Sequence, residues 1–222
     1  MKQVICITGG ANGLGRELAA YFSPKNQVVV LDIDQKTKTV ANSLDCDFYL
    51  CDVSDFDNLN SVIQKILKKY SHIDCFINNA GIFIDGNIDQ NDPKRIRKVF
   101  EVNCLGPIFA ANILIPLFKK QDSGIIININ STAGLHPKAG NSVYHASKWA
   151  LTGFSESLQL ELSDSKIKII DIHPGVMKTN FTSGTAADVS KIIHPEEVVK
   201  AIDFVLSFKS DILIPRLTIR HI

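Results

Sequence analysis

Short apolar runs alternate with segments of helical periodicity along most of this 222-residue chain. The runs are rich in β-branched residues and lack alternating polar positions, which is typical of strands buried on both faces of a parallel sheet. They predict strands at residues 4–7, 28–31, 48–50, 73–77, 125–129 and 167–172. The intervening periodicity predicts helices at residues 13–22, 35–43, 55–70, 93–118, 142–162 and 195–208.

Alternation of strand and helix predicts an α/β fold with right-handed crossovers, in which a doubly wound parallel sheet lies between two helical layers. Ser54, with Asp57 three residues later, is the predicted cap of the third helix. Residues 211–216 predict a last strand. Since neither a repeat nor a linker interrupts the pattern, residues 1–222 are expected to form a single domain. Ligands of such folds bind beyond the carboxyl ends of the strands, where functional residues are expected.

Composition narrows the function classes. Apolar residues make up 45% and charged residues 21% of the chain, and the formal net charge is +1. Because the basic and acidic residues are interleaved, neither a nucleic acid nor a membrane surface is an expected partner. The first apolar run is too short for a signal peptide, no apolar stretch is expected to cross a membrane, and the five cysteines lack metal-ligand spacing. These features predict a cytoplasmic protein with buried thiols and without a metal site.

A glycine-rich turn follows the first predicted strand and opens the first helix. It includes Gly9, Asn12, Gly13, Leu14 and Gly15. Glycines let the backbone approach a ligand closely, and a helix N-terminus offers N–H groups to a phosphate. The turn therefore predicts nucleotide binding, although an ordinary strand-to-helix turn also favours glycine.

The second predicted strand is followed by Asp32, at about the distance where an acidic residue meets the ribose 2′-hydroxyl of a dinucleotide. A carboxylate there would repel a 2′-phosphate, and Asn12 supplies no positive charge to offset the repulsion. NAD is therefore favoured over NADP as the cofactor. Asp34 is a rival for this role, but it lies further past the strand end.

Two later strand ends are further candidates for binding the cofactor. Asp52 and Val53 follow the third strand, where the adenine would lie, although Asp52 fits equally well as a solvated acid that leads into a helix cap. Asn79, Ala80 and Gly81 follow the fourth strand and are candidates for the adenosine side of the cleft. The alternative there is a turn whose asparagines tolerate unusual backbone angles.

Tyr144 and Lys148 lie four residues apart, which places the phenol and the ammonium on one face if the segment is helical. A neighbouring cation favours the phenolate and lowers the pKa of a tyrosine towards a working range for acid/base catalysis. Tyr21 and Lys25 have the same spacing, but Pro24 lies between them and is expected to end that helix. The later pair is the candidate catalytic pair.

These motifs together resemble the short-chain dehydrogenases/reductases over roughly residues 2 to 182. The matching residues, in chain order, are Thr8-Gly9-x-x-x-Gly13-x-Gly15, Asn78-Asn79-Ala80-Gly81, Asn103, Ser131, Tyr144-x-x-x-Lys148 and Pro174-Gly175. The resemblance implies a Rossmann-type fold and hydride transfer between a nicotinamide cofactor and an alcohol or carbonyl substrate. It also implies a homo-oligomer, expected here as a dimer through the helix at residues 142–162, with the family's usual tetramer in doubt.

The resemblance also implies roles for particular side chains. Tyr144 would be the general acid/base, and Lys148 would lower its pKa and hold the nicotinamide ribose. Ser131 would hydrogen-bond the substrate oxygen, although a turn hydroxyl that caps local backbone is the alternative. The segment expected to contact the nicotinamide contains Pro174, Gly175, Val176 and Thr179.

Asn103 has a separate physical argument. It lies in a long apolar helix with Pro107 four residues later, and proline has no N–H, so the carbonyl of Asn103 loses its normal helical partner. A freed carbonyl beside a cleft is a natural seat for an ordered water. The matching asparagine of the family helps to hold a water that links the lysine to solvent. The alternative is a proline kink without a catalytic role.

The substrate stays open at this stage. Residues around 180–194 are the expected lid, and the pocket candidates are Leu135, His136, Pro137, Lys138, Asn141, Met177 and Phe181. Their mixed character does not choose among sugars, steroids, acyl thioesters and small ketones. The alternatives to an oxidoreductase are a catalytically silent dinucleotide-binding sensor or scaffold protein, and a related dehydratase or epimerase.

Overall fold

The computed structural model describes residues 2–177, 192–209 and 211–222. Its core is a seven-stranded sheet with the order β3-β2-β1-β4-β5-β6-β7, in which every neighbouring pair is parallel. The strands are β1 Val4–Thr8, β2 Gln27–Asp32, β3 Asp47–Leu50, β4 Cys75–Asn78, β5 Gly124–Ile129, β6 Ile167–Pro174 and β7 Arg216–Ile219. The chain winds one way from β1 to β3 and the other way from β4 onward, so the switch point lies between β1 and β4.

Helices cover both faces of the sheet. They are α1 Gly13–Phe22, α2 Thr37–Ser43, α3 Phe56–Tyr70, α4 Pro93–Phe100, α5 Gly106–Gln121, α6 Ser142–Glu161 and α7 Pro195–Leu206. Alternate side chains of β1 enter opposite cores: Ile5 and Ile7 pack with α1 and α7, whereas Val4 and Cys6 pack with α3 and α5. The expected three-layer doubly wound fold is confirmed, because both faces of each central strand are buried.

The predicted helix at residues 93–118 is interrupted by a wider turn. A π-helical segment, Glu101–Leu105, joins α4 to α5, and the N–H of Gly106 donates to the carbonyl of Glu101 five residues back. Pro107 explains the interruption, since its missing N–H prevents the ordinary bond to the carbonyl of Asn103. Single π turns of this kind are frequent at functional sites.

The stretch Pro93–Gln121 is long and apolar enough to cross a membrane by length and composition, contrary to the sequence expectation. Half of its most apolar window is buried within the fold. Ala110, Leu114 and Phe118 pack in the core against the sheet. The stretch is therefore accounted for as a core helix.

Two local predictions are wrong. The last strand is Arg216–Ile219 rather than residues 211–216. Pro215 offers no N–H for a strand ladder, and β7 pairs with residues 171–174 of β6. The cap of α3 is Asp55, whose side chain accepts from the N–H of Asn58, and not Ser54.

Candidate active site

The glycine turn lies at the carboxyl end of β1, at the switch point of the sheet. Gly9 and Gly13 have positive φ angles of 71° and 53°, which glycine adopts without strain. The side-chain N–H₂ of Asn79 donates to the carbonyls of Thr8 and Gly9, both at 2.9 Å. These two bonds tie the turn to the end of β4. The side chain of Asn79, a predicted cofactor-binding residue, thus holds the glycine turn in place.

The first turn of α1 is open to an anion. Asn12 is exposed, and as N-cap it makes no side-chain cap bond. The first-turn N–H groups therefore lack a side-chain cap, which suits the binding of a phosphate. Leu14 is buried in the core, so only its backbone is available to a ligand. These features fit the dinucleotide that the sequence resemblance implies.

Gly15→Ala is expected to destabilise the protein and to weaken dinucleotide binding. A Cβ on Gly15 would overlap the carbonyl oxygen of Gly9 and lie 2.6 Å from the side-chain nitrogen of Asn79. The turn would have to shift, at a cost of about 1–3 kcal/mol in unfolding free energy. Urea unfolding and cofactor titration measure the two effects.

Gly153→Ala is the matched control, because its Cβ meets nothing within 4 Å on the surface of α6. That change should stabilise the protein by about 0.5–1 kcal/mol, as expected for alanine in a helix. If the two variants had the same unfolding free energy and the same affinity for the cofactor, the close contact of Gly15 with Gly9 and Asn79 would not contribute to stability or binding.

Asp32 faces the glycine turn. One carboxylate oxygen accepts from the N–H of Ala11 and the other from the N–H of Asp34, both at 3.0 Å. Its rival Asp34 is exposed and accepts from the N–H of Lys36. Of the two candidates, Asp32 therefore lies beside the turn that would hold a dinucleotide.

Asp52 and Val53 have local roles in the structure. The Asp52 carboxylate accepts from the N–H and the hydroxyl of Ser54, and Lys98 lies 3.4 Å away. Burial raises the pKa of Asp52, but these hydrogen bonds and the Lys98 cation outweigh it and leave the pKa lowered. Val53 is buried and packs near Gly106. Of the two interpretations of Asp52, its side-chain contacts favour the acid that leads into a helix.

Ala80 and Gly81 continue from the end of β4 towards the site. The N–H groups of Asn79 and Ala80 both donate to the hydroxyl of Thr8 at 3.0 Å. A Cβ on Gly9 would lie 2.9 Å from the Cα of Ala80. These contacts place Asn79 and Ala80 directly against the glycine turn, and the predicted place of residues 79–81 on the adenosine side of the cleft stays a prediction.

The candidate catalytic side chains meet between the carboxyl end of β5 and the first turns of α6. Ser131 caps a short 3₁₀ turn, Thr132–Gly134, and its hydroxyl accepts from the N–H of Ala133 at 3.1 Å. Tyr144 and Lys148 lie in the first two turns of α6, and the Ser131 side chain lies close enough to the Tyr144 phenol to lower its pKa. The Lys148 ammonium lies 6.0 Å from the centre of the Tyr144 ring and donates to the carbonyl of Ile129 at 2.9 Å.

Burial dominates the electrostatics of this pair. It raises the pKa of Tyr144 to about 12, against the opposing hydrogen bond from Ser131. It also lowers the pKa of Lys148 to about 8, which Asp171 and Cys104 partly oppose. The sequence expectation that Lys148 brings the tyrosine pKa down is therefore wrong for the protein alone. The ring of Phe83 packs edge-on against Tyr144 at 4.9 Å, and removal from water disfavours the phenolate.

Asn103 lies in the π-helical segment and is almost fully buried. Its side-chain amide donates to the carbonyl of Ile82 at 2.8 Å and to the Ser147 hydroxyl at 3.2 Å, and its oxygen accepts from the N–H of Ile82 at 2.8 Å. Asn103 thus joins the segment after Gly81 to α6. The water at its backbone carbonyl stays a prediction.

The segment after β6 is described only in part. The N–H of Gly175 donates to the carbonyl of Ile219 at 2.7 Å, and the carbonyl of Val176 accepts from Ile193 at 2.8 Å. Pro174 is buried, whereas the side chain of Val176 is exposed. Thr179, Phe181 and most of the predicted lid lie outside the described residues.

The pocket candidates after the 3₁₀ turn differ in exposure. His136, Pro137 and Lys138 are exposed, whereas Leu135 and Asn141 are partly buried. Met177, also partly buried, pairs with Ile193 in an isolated β-bridge.

Sequence reasoning missed a group of buried polar side chains behind Ser131. Asn128 and Asn130 come from β5 or its end, and Asp171 and His173 come from β6. The sequence does indicate them, because they are polar residues within the apolar runs at residues 127–130 and 171–173. Such residues in a strand buried on both faces need partners from the neighbouring strand or helix.

Comparison with known proteins agrees with this geometry. The family model described as "short chain dehydrogenase" matches residues 3–190. An uncharacterised oxidoreductase of Staphylococcus epidermidis is 27% identical over 100% of this chain and 98% of its own length. The NADP-dependent 3-hydroxy acid dehydrogenase of Schizosaccharomyces pombe is 28% identical over 96% of this chain and 90% of its own.

Among solved structures, ElxO with NADP bound superposes with a TM-score of 0.90 and 28% identity, covering 99% of this chain and 97% of that chain. The family match spans the glycine turn, the candidate catalytic residues and the end of β6. The chain therefore belongs to the short-chain dehydrogenase family, as an oxidoreductase that uses a nicotinamide dinucleotide.

Proposed function

We propose that this protein transfers a hydride between NAD(H) and an alcohol or carbonyl substrate, with Tyr144 as the general acid/base. The observation that carries the proposal is that Ser131 and Lys148 flank Tyr144: the Ser131 side chain is near enough to the phenol to lower its pKa, and the Lys148 ammonium lies 6.0 Å from the centre of its ring. The three side chains lie at the same edge of the sheet as the glycine turn. The bound nicotinamide supplies or accepts the hydride.

Proton transfer falls to Tyr144 in this proposal. With a pKa near 12 the phenol is protonated at neutral pH, as is required of a group that donates a proton to a carbonyl oxygen during reduction. Oxidation of an alcohol needs the phenolate instead, which burial disfavours. In the protein alone, the Tyr144 phenol is therefore in its proton-donating form.

Ser131 and Lys148 would position the reacting groups. The Ser131 hydroxyl lies beside the phenol and would donate to the same substrate oxygen. An ammonium group has three donors, and the bond from Lys148 to the carbonyl of Ile129 uses one of them. The other two point to a role in holding the nicotinamide ribose. The carbonyl of Asn103, which Pro107 deprives of its helical partner, would seat the water that carries the proton from Lys148 to solvent.

A preference for NAD over NADP rests on Asp32. Its carboxylate is fixed against the glycine turn by the N–H groups of Ala11 and Asp34. A 2′-phosphate placed there would meet this negative charge in a partly buried site, where like charges cost several kcal/mol. The NADP-dependent and NADP-bound relatives make this preference a question for experiment.

Asp32→Asn is expected to raise the affinity for NADP(H) by about tenfold or more relative to NAD(H), because it removes the repulsion and keeps the side-chain shape. Thermal shift with each of the four dinucleotides measures the change. Asp34→Asn is the matched control and should leave the preference unchanged. If NADP(H) stabilises the wild-type protein more strongly than NAD(H), the role given to Asp32 is wrong.

A panel of alcohols, aldehydes and ketones, assayed with the preferred dinucleotide, tests the activity itself. Turnover of at least one member is expected, and a reduction should be faster than the corresponding oxidation at neutral pH. Stable dinucleotide binding without turnover of any member would favour the sensor or scaffold protein.

A further inference from the structure

Four buried polar side chains form a cluster between β5, β6 and α6. Its members are Asn128, Asn130, Asp171 and His173, all of which are less than 5% exposed. Asp171 accepts from the side-chain N–H₂ of Asn128 at 3.2 Å and from that of Asn130 at 3.1 Å. These two amides hold the carboxylate in one orientation inside the sheet.

His173 connects this cluster to Ser131. Its Nδ1 lies 2.8 Å from the carbonyl oxygen of Ser131, and a carbonyl can only accept a hydrogen bond. Nδ1 must therefore carry the hydrogen. The same carbonyl accepts from the N–H of Gly134 at 2.9 Å, so two donors fix the Ser131 peptide.

The second ring nitrogen of His173 faces Asp171. Nε2 lies 3.6 Å from Oδ2 of the carboxylate, and it is buried without a hydrogen-bond partner among the described residues. An unprotonated Nε2 would turn a lone pair towards an acceptor oxygen. The contact is favourable only when a hydrogen lies between the two atoms, on either one.

Other charged groups surround the pair. Lys148 of α6 lies close enough for the Asp171 carboxylate to favour its charged form. Arg216 of β7 is the register partner of Asp171, but its side chain pairs with Glu156 of α6. Asp171 therefore stands between a histidine that contacts Ser131 and the lysine of the candidate catalytic group.

We propose that His173 is a positioning residue for Ser131, whose carbonyl accepts from its Nδ1–H, while the Asp171 carboxylate lies beside the other ring nitrogen. The Ser131 backbone is extended, with φ −168° and ψ 157°, and its fixed peptide holds in place the residue whose hydroxyl lies beside Tyr144. This inference rests on the proposed function in so far as Ser131 aligns the substrate oxygen.

Two substitutions at His173 distinguish a role in positioning Ser131 from a role in packing alone. In His173→Asn the amide nitrogen takes the place of Nδ1 and keeps a donor for the Ser131 carbonyl. In His173→Gln the amide reaches towards Asp171 instead and leaves that carbonyl with Gly134 alone. Both variants replace a buried ring by a smaller amide, so a packing role predicts similar losses in both.

Amide hydrogen exchange of Ala133 and Gly134 is the first measurement, because these N–H groups bond the Ser131 hydroxyl and carbonyl. We expect exchange about tenfold or more faster in His173→Gln than in His173→Asn, as expected for the loss of one hydrogen bond. Equal exchange in the two variants, at equal global stability, would overturn the proposal.

Nitrogen NMR of the protein labelled with ¹⁵N-histidine is the second measurement, with the His173 signals assigned from the Asn variant. We expect a protonated Nδ1 in the wild type. In Asp171→Asn we expect a changed Nε2 signal, since the group that faces that nitrogen is altered. An unprotonated Nδ1 in the wild type would refute the assignment. Neither measurement requires a substrate, so both judge this inference even if the proposed function fails.

Kinetics with any carbonyl compound that the wild type reduces complete the test. His173→Gln should lower kcat by about tenfold or more while the KM for the dinucleotide stays unchanged, and His173→Asn should recover most of the loss. Equal kcat values in the two variants would show that His173 does not position Ser131.

Discussion

Tyr144→Phe is expected to lower turnover by about a hundred- to ten-thousandfold, the usual contribution of a general acid/base, while dinucleotide binding is retained. Phenylalanine keeps the ring that packs edge-on against Phe83 at 4.9 Å and removes only the hydroxyl that Ser131 contacts. The fold and the glycine turn should therefore be unaffected. Initial rates followed by the absorbance of the reduced nicotinamide, together with thermal shift by the dinucleotide, measure the two properties.

Tyr21→Phe is the matched control for this change. Tyr21 has the same spacing to a lysine, but α1 ends at Phe22 and the Tyr21 hydroxyl donates to Asp203 on the surface. Its loss should leave turnover unchanged. If the Tyr144→Phe protein kept its activity on every substrate, the proposed acid/base role would be wrong.

Lys148→Met is expected to lower turnover by about a hundredfold or more, by analogy with the loss of a single group that stabilises charge in an active site. It should also change how stability depends on pH. Burial lowers the pKa of Lys148 from 10.5 to about 8, so between these values the unfolded chain binds more protons than the folded protein. The unfolding free energy of the wild type should therefore rise through this window, by about 3 kcal/mol relative to the methionine variant.

Urea unfolding of both proteins at pH 8 and pH 10 should capture about 2 kcal/mol of this difference, because the lysine of the unfolded chain is still mostly protonated at pH 10. The comparison between variants removes the titration of Tyr144 and of the buried cysteines other than Cys104, whose pKa Lys148 itself lowers. Replacement of the exposed Lys36 by methionine is the control, and it should leave the pH dependence of the unfolding free energy as it is in the wild type. If the unfolding free energies of the wild type and of Lys148→Met changed in parallel with pH, the pKa of Lys148 would not be lowered by burial.

Much of the fold could be predicted from local patterns. The apolar runs located β1 to β6 because a strand buried on both faces admits few polar residues, as Ile5 and Cys6 on opposite faces of β1 illustrate. The last strand was misplaced because the apolar residues before Pro215 resemble a strand, whereas pairing with β6 begins at Arg216. Which residues enter a ladder depends on a partner distant in the sequence.

The candidate site was predictable where residue type and spacing carry the chemistry. Tyr144 and Lys148 share a helix face by virtue of their spacing, and Asp32 and the glycine turn lie at adjacent strand ends. The roles of Asn79 and Asp52 were less visible. Their side chains are engaged with Thr8, Gly9 and Ser54, and those contacts form only in the folded chain.

The sequence by itself determined the order of strands and helices, the family and the identity of the candidate catalytic residues, because these depend on periodicity, residue type and spacing along the chain. The tertiary structure decided their electrostatics. Burial raises the pKa of Tyr144 and lowers that of Lys148, against the expectation from their spacing alone. The tertiary structure also brings Asp171 and His173 together behind Ser131. Desolvation and contacts between distant strands arise only when the chain is packed, and no local pattern encodes their magnitude.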